Sequence, residues 1–329
     1  MSEILKSVAA ISLGFACSCV QADPDGSKPH DYRSLASAKI TEEEITVSNL
    51  SGLHMNVGTG SPVILIVPGS GPTDRDGNNP QGVNANTYKH LAEQLAQRGV
   101  STVRVDKRGM FSSASAGNPN AVTVDIYASD YQRWIEKIQQ KVAAPCVYLL
   151  GHSEGALMVS AAAIGRMDVC GLILVSGAGR PFGDILREQL QENPANAPIL
   201  EDAFAVIDEL ETGKRVDVSN LHPALQGLFA DQVQGFLISL FAVDPAMLAK
   251  EAGQRTLVLQ GSTDLQTSLV DAEMLAEAVS VRPVILEGVN HVLKLAPMDR
   301  AENFATYSKP DLPVAISVVD AIEQFVEVN

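Results

Sequence analysis

The sequence predicts an α/β fold: a mostly parallel central sheet flanked by helices, with a helical cap insertion. Three observations predict it. Short apolar runs of the kind buried on both faces alternate with stretches whose apolar residues recur at helical spacing. The alternation stops between Gly179 and Glu251, where no strand pattern is visible, and then resumes. Residues of reactive type gather in loops that follow the expected strands, where open parallel sheets bind ligands.

Ile40 to Asn49 and Leu53 to Val57 read as the two strands of a starting hairpin. Pro62 to Val67 is a continuous apolar run, followed by a Gly, Pro and Asp-rich loop from Gly69 to Asn78. Thr87 to Arg98 is expected to be a helix, with Tyr88, Leu91 and Leu95 on one face and Gly99 as its stop. Thr102 to Val105 is a short strand. Asp125 to Val142 is a helix whose inner face holds Tyr131, Trp134, Ile135, Ile138 and Val142. Val147 to Leu150 and Leu172 to Val175 are strands around a helix from Glu154 to Ile164. The insertion reads as helices at Pro181 to Gln191, Ile199 to Glu211, Ala224 to Val243 and Pro245 to Glu251. Thr256 to Gln260 and Pro283 to Leu286 are strands on either side of a helix at Ser268 to Ala278. Pro313 to Val326 closes the chain as a helix. Strands alternating with helices imply crossover connections and a sheet covered on both sides.

The domain organisation expected is a segment at 1–22, a linker at 23–37, a core at 38–178, a cap at 179–251 and the rest of the core at 252–329. Residues Val8 to Val20 are apolar behind a short head with Glu3 and Lys6, and Val20-Gln21-Ala22 ends in a small residue. The run is shorter than the ~20 residues a membrane span needs. It reads as a secretory signal cleaved after Ala22, which implies an exported, periplasmic or secreted protein without stable membrane insertion. The alternatives are a retained N-terminal helix and a lipoprotein modified at Cys17 or Cys19.

The 329 residues carry 39 acids against 24 bases, a formal charge of −15. That field disfavours nucleic acid and anionic membrane surfaces as partners. The four cysteines lack zinc spacing and the six histidines form no ligand pair on one helix, so a metal site has little support in the sequence. Export would leave Cys146 and Cys170, each opening an apolar run. Adjacent strands lie about 4.8 Å apart, within disulfide reach if both side chains face the same way. The alternative is two buried thiols.

Four loops carry the chemistry. Gly151-His152-Ser153-Glu154-Gly155 follows a strand and opens a helix, the context in which G-x-S-x-G holds a serine on a tight, strained turn. Ser153 is the candidate nucleophile. A hydroxyl needs a base. His291, in the loop after the last expected strand, is the candidate, since His30, His54, His90 and His222 sit in a linker, a strand, a helix and the cap. His152 adjoins Ser153, but the turn is expected to point the two side chains apart. Asp264, in Gly261-Ser262-Thr263-Asp264, is the candidate to orient the base, with Asp271 and Glu287 as rivals. Asp271 begins a helix, where capping explains it. The glycine-rich loop Pro68 to Asn78 lets backbone approach a substrate. The backbone N–H groups of Ser70 and Glu154 are candidate donors to an oxyanion. Asp74, Arg75 and Asp76 are expected to pair with Asp106, Lys107 or Arg108 and fix that loop.

These segments (GSGPTDRDGN, DKRGMFSS, GHSEGA, QGSTD and GVNHVLK) together resemble the α/β-hydrolase superfamily, and within it bacterial serine aminopeptidase-like and lysophospholipase-like esterases. The resemblance spans Ile40 to Val328, interrupted by the cap. It implies the order Ser153, Asp264, His291, a two-step acyl transfer and no metal or organic cofactor. Many relatives carry His where this chain has Pro68, and Gly where it has Ala156. Neither departure removes a reactive group. The expected activity is hydrolysis of small-molecule carboxylic esters with small to medium acyl groups. The alternatives are a peptidase or amidase, and a binding protein on a hydrolase fold. Phe229, Phe236 and Leu240 are candidate acyl-pocket residues, against the reading that they pack the cap. Acids outnumber bases in the cap, which would suit a cationic substrate or simply a solvated helical surface.

Overall fold

Residues 40–327 are described by the structure, a computed structural model. The signal segment and linker expected at 1–22 and 23–37 lie outside the described residues, as do Cys17 and Cys19. In chain order the elements are β1 (Thr41–Val47), β2 (Leu50–Asn56), β3 (Val63–Val67), α1 (Thr87–Ala96), β4 (Ser101–Val105), α2 (Val124–Val142), β5 (Val147–His152), α3 (Glu154–Ala163) and β6 (Val169–Val175). Then come α4 (Phe182–Gln191), α5 (Leu200–Glu211), α6 (Pro223–Leu228), α7 (Asp231–Phe241) and α8 (Pro245–Ala252). The chain finishes with β7 (Thr256–Gly261), α9 (Leu269–Ala278), β8 (Val284–Leu286), α10 (Arg300–Ala305) and α11 (Ile316–Glu327).

All five side chains of β3, VILIV, are buried. Side chains alternate across a strand, so they supply two separate cores. Val63, Leu65 and Val67 join Trp134, Ile135 and Ile138 of α2 on one face. Ile64 and Ile66 join Leu91 and Leu95 of α1 and Val319 and Ile322 of α11 on the other. Each such side chain contributes about 1.5–3 kcal/mol by leaving water. The eight strands run in the order β1-β2-β4-β3-β5-β6-β7-β8. β2 is antiparallel to β1 and to β4, and every pairing from β4 to β8 is parallel. The mostly parallel sheet flanked by helices is therefore present.

The stretch from 182 to 252 holds helices and no strand. Two details differ from expectation. The helix expected over Ala224 to Val243 is two helices, broken at Phe229 and Ala230, where Ala230 is extended (φ −52°, ψ 141°). The break lets Phe229 bury fully against Val206, Ile207 and Leu225. The buried Gln234 amide holds it there, donating to the carbonyls of Phe229 (2.9 Å) and Val216 (2.7 Å). Separately, α8 packs on α3, its Ala249 and Ala252 joining the sheet-side core.

Cys146 and Cys170, at the starts of the paired strands β5 and β6, form a disulfide with Cα atoms 5.2 Å apart. Of the two readings of these cysteines, the bridge is the one present.

Candidate active site

The turn from β5 to α3 is shaped by what its glycines lack. A Cβ on Gly151 would overlap the Gly155 carbonyl, so only glycine fits. Ser153 takes the strain, with φ 56° and ψ −124°. A non-glycine residue there costs about 1–3 kcal/mol, which the surrounding packing must offset. Its N–H donates to the Val175 carbonyl (2.9 Å), tying the turn to β6. Ser153 stays half-buried while its neighbours on both sides are buried.

Asp264 follows β7. One carboxylate oxygen, Oδ1, accepts the N–H groups of Gln266 (2.8 Å) and Thr267 (3.1 Å). The other, Oδ2, accepts the Thr267 hydroxyl (3.0 Å), and His291 Nδ1 lies 3.1 Å and 2.9 Å from the two oxygens. Burial pushes the Asp264 carboxyl up, but the His291 imidazole and these hydrogen bonds outweigh it and hold the group down to about 2. A carboxylate only accepts, so Nδ1 of His291 carries the proton and Nε2 is left with a lone pair. The rivals are otherwise engaged: Asp271 sits in a capping box with Ser268 and takes two bonds from Arg180 (3.0 and 3.1 Å), and Glu287 is exposed.

His152 does not point away from the site as expected. Its ring lies 4.8 Å from that of His291, centroid to centroid. Nε2 is 2.8 Å from the main-chain carbonyl of His291, and Nδ1 is 2.8 Å from the hydroxyl of Tyr88. The carbonyl can only accept, so Nε2–H donates to it and the neutral ring accepts at Nδ1 from Tyr88. The Tyr88 hydroxyl in turn accepts the Gly69 N–H (3.1 Å). Burial and the adjoining His291 hold the His152 imidazole down to about 3, so the ring is neutral at ordinary pH. One polar chain thus links the glycine-rich loop, the residue before Ser153 and the His291 loop. Helical spacing marked Tyr88 only as a core residue. The sequence signal for its second role was a buried hydroxyl, which needs a partner.

The His291 loop is braced from behind. Asn290 donates to Asn303 Oδ1 (3.1 Å) and Thr306 Oγ1 (2.8 Å), and Asn303 donates to the Thr263 carbonyl (2.9 Å). These partners lie on α10 and the 3₁₀ turn Thr306–Ser308, neither of which was anticipated. The signal was there: Asp299-Arg300-Ala301-Glu302 is an N-cap followed by an acid three residues on, and Asp299 Oδ1 accepts the Glu302 N–H (3.0 Å).

The glycine-rich loop lies over Ser153. A Cβ on Gly69 would come within 3.1 Å of the Ser153 Cβ. Ser70 Oγ donates to Glu154 Oε2 (2.9 Å). Glu154 opens α3, so its N–H has no acceptor within the helix. The loop charges have the structural role expected, with partly different partners. Arg75 pairs with Glu44 (2.8 Å) and takes Asp106 on its N–H (2.9 Å), while Asp76 pairs with Arg104. Arg108 instead chelates Asp130.

Ser153, His291, His152, Gly69 and Ser70 line a cleft of about 160 Å³ that continues past Thr73, Asn79, Val83, Gln266 and Tyr307. Phe229, Phe236 and Leu240 do not line it. Phe229 fills the cap, Leu240 joins the sheet-side core, and Phe236 packs edge-on against Tyr127 (5.9 Å). A larger depression of about 420 Å³ lies among Arg108, Asp125, Asp130 and Arg133 and does not include Ser153. Its arginines are both paired with Asp130.

Residues 82–194 match the family model described as serine aminopeptidase, S33, a span that includes Ser153 but not Asp264 or His291. No curated protein matches the chain in sequence. Among solved structures, Est1E from Butyrivibrio proteoclasticus is 14% identical with a TM-score of 0.52, covering 87% of this chain and 97% of that one. A thermophilic esterase from Thermogutta terrifontis is 20% identical with a TM-score of 0.50, covering 87% and 98%. A putative non-heme bromoperoxidase, BpoC, from Mycobacterium tuberculosis H37Rv is 16% identical with a TM-score of 0.52, covering 86% and 98%. Sheet order, helical layers and these likenesses agree: the chain has the α/β-hydrolase fold.

Proposed function

We propose that this protein is an exported serine hydrolase that cleaves carboxylic esters of small to medium acyl groups. The observation that carries the reading is the Asp264–His291 pair, whose Nδ1 contact leaves Nε2 as a base in the cleft that Ser153 lines. In this mechanism His291 Nε2 takes the Ser153 proton as Oγ attacks the ester carbonyl. Asp264 holds the ring and stabilises the imidazolium that forms. The N–H groups of Ser70 and Glu154 receive the oxyanion. The alcohol leaves with the proton from His291, and water, activated by the same ring, releases the acid. The cleft volume of about 160 Å³ favours the short end of the acyl range. The Cys146–Cys170 bridge fits an oxidising compartment and so supports export.

The test is hydrolysis of p-nitrophenyl acetate and butyrate. Ser153→Ala is expected to abolish it and to lose labelling by a fluorophosphonate. Undiminished turnover in that variant overturns the reading. The match to the serine aminopeptidase model favours a second reading, amide or peptide hydrolysis by the same residues. Faster turnover of p-nitroanilides than of p-nitrophenyl esters, corrected for leaving-group reactivity, would select it.

A further inference from the structure

Lys107 follows β4 and is 4% exposed. Burying an amine in a protein interior is costly unless it is paired or used. Its Nζ donates to the main-chain carbonyl of Gly69 over 2.7 Å. No carboxylate pairs with it within 4 Å among the described residues; Glu154 is the acid that acts on it from farther off. The amine is thus directed at one backbone oxygen in the loop over Ser153.

That oxygen belongs to the same peptide unit as the Ser70 N–H. The unit is planar and trans, so its C=O and N–H point in opposite directions. With the carbonyl turned to Lys107, the N–H is turned the opposite way, and Ser70 and Ser153 both line the cleft. Gly69 is held on its other side by Tyr88, and Ser70 by Glu154, so the plane has little freedom to rotate. A cationic donor on the carbonyl also draws electron density from the amide and makes its N–H a stronger donor.

We propose that Lys107 is a positioning residue that orients and polarises the Gly69–Ser70 peptide to receive an oxyanion formed at Ser153. It acts through the backbone and does not touch substrate. The proposal deepens the serine-hydrolase reading and rests on it. Burial lowers the lysine's pKa, and the charge of Glu154 offsets only part of that fall.

The test compares wild type, Lys107→Met and Lys107→Gln. Methionine keeps an unbranched stem without a donor, and glutamine offers a neutral one. Each is measured for kcat and KM on p-nitrophenyl acetate, for the rate of fluorophosphonate labelling, and for affinity towards a boronic acid that forms a tetrahedral adduct. Values are normalised to labelled sites. Lys107→Met is expected to lose about ten- to a hundredfold in kcat, with KM changed by no more than about twofold. Labelling rate and boronate affinity should fall by a similar factor, with Lys107→Gln between the two. A merely structural lysine would lower Tm and the fraction of active sites and leave kcat per site unchanged, and that result overturns the proposal. Should Lys107→Met fail to fold, Lys107→Gln carries the comparison: a kcat per site equal to wild type overturns it. Failure of the hydrolase reading is seen separately, as turnover that survives Ser153→Ala with Lys107 intact.

Discussion

His152 Nε2 donates to the main-chain carbonyl of His291 over 2.8 Å, so the residue before the candidate nucleophile holds the loop of the candidate base. The two rings also pack at 4.8 Å. This contact ties two segments 139 residues apart in sequence at the point where, in the proposed mechanism, their relative position sets proton transfer.

Removing that tie should act on the rate. His152→Ala leaves the His291 carbonyl and the Tyr88 hydroxyl without their buried partner, a loss of about 1–3 kcal/mol. Where that loss falls on the placement of His291, kcat/KM is expected to drop about ten- to a hundredfold. His152→Gln, which can both donate and accept, should retain more. Steady-state kinetics on p-nitrophenyl esters check the order wild type, Gln, Ala. Equal rates in all three would show that the tie does not position the base.

The same residue should shape acid stability. Burial and His291 hold His152 down to about 3 in the folded protein, against an ordinary 6.5. Below pH 6.5 the unfolded chain takes a proton there that the folded protein refuses. Stability therefore falls from pH 6.5 towards 3, by about 1.4 kcal/mol per pH unit for one such group. His54, also lowered by burial, adds in the same direction. Asp264 acts elsewhere: its folded value, about 2, lies below the ordinary 3.8, so its contribution is intact above 3.8 and is lost only as pH falls towards 2. Urea midpoints between pH 7 and 4 should decline less steeply in His152→Gln than in wild type. Parallel curves would assign the acid sensitivity to other groups.

How much of this was legible before the structure differs from element to element. The order Ser153, Asp264, His291 comes from the resemblance to α/β-hydrolases; the VILIV strand and the elbow rest on local patterns, a period or a spacing, that the chain states directly. The contacts of His152, Tyr88 and Lys107 do not. Each is a single polar residue in or beside an apolar element, and its partner lies across the sheet on a segment whose approach depends on the whole fold. The cap break at Phe229 has a similar cause, since Gln234 rewards it only once the Val216 loop is in place. By contrast, α10 was announced by Asp299 and Glu302 and could have been read.

The disulfide should contribute measurably to stability. It closes a loop between residues 24 apart at the starts of β5 and β6. By chain entropy such a loop is worth about 3 kcal/mol. In a domain of this size that corresponds to roughly 6–12 °C in Tm. Calorimetry of Cys146→Ser, or of wild type under dithiothreitol, should show a drop of that order, with kinetics at 25 °C little changed because the bridge lies at the end of β5 opposite Ser153. An unshifted Tm would mean that the bridge does not form. Under the proposed export, N-terminal sequencing of the mature protein is expected to begin at Asp23, and an intact Met1 would overturn that reading.

Asp264→Asn isolates the proton on His291. Asp264 Oδ1 faces the N–H groups of Gln266 and Thr267, so an asparagine must turn its carbonyl that way. Its amide then faces His291 Nδ1, where Oδ2 now lies at 2.9 Å. An amide N–H donates, so Nδ1 must become the acceptor and the proton moves to Nε2. The ring keeps its place, but the nitrogen that should take the Ser153 proton already holds one. Activity is expected to fall by about 10⁴ at neutral pH, as for a triad carboxylate replaced by its amide elsewhere. Fluorophosphonate labelling of Ser153 should slow in step. Glu287→Gln, at an exposed carboxylate outside the cleft, should leave kcat unchanged. An active Asp264→Asn enzyme together with an inactive Glu287→Gln would transfer the orienting role to Glu287.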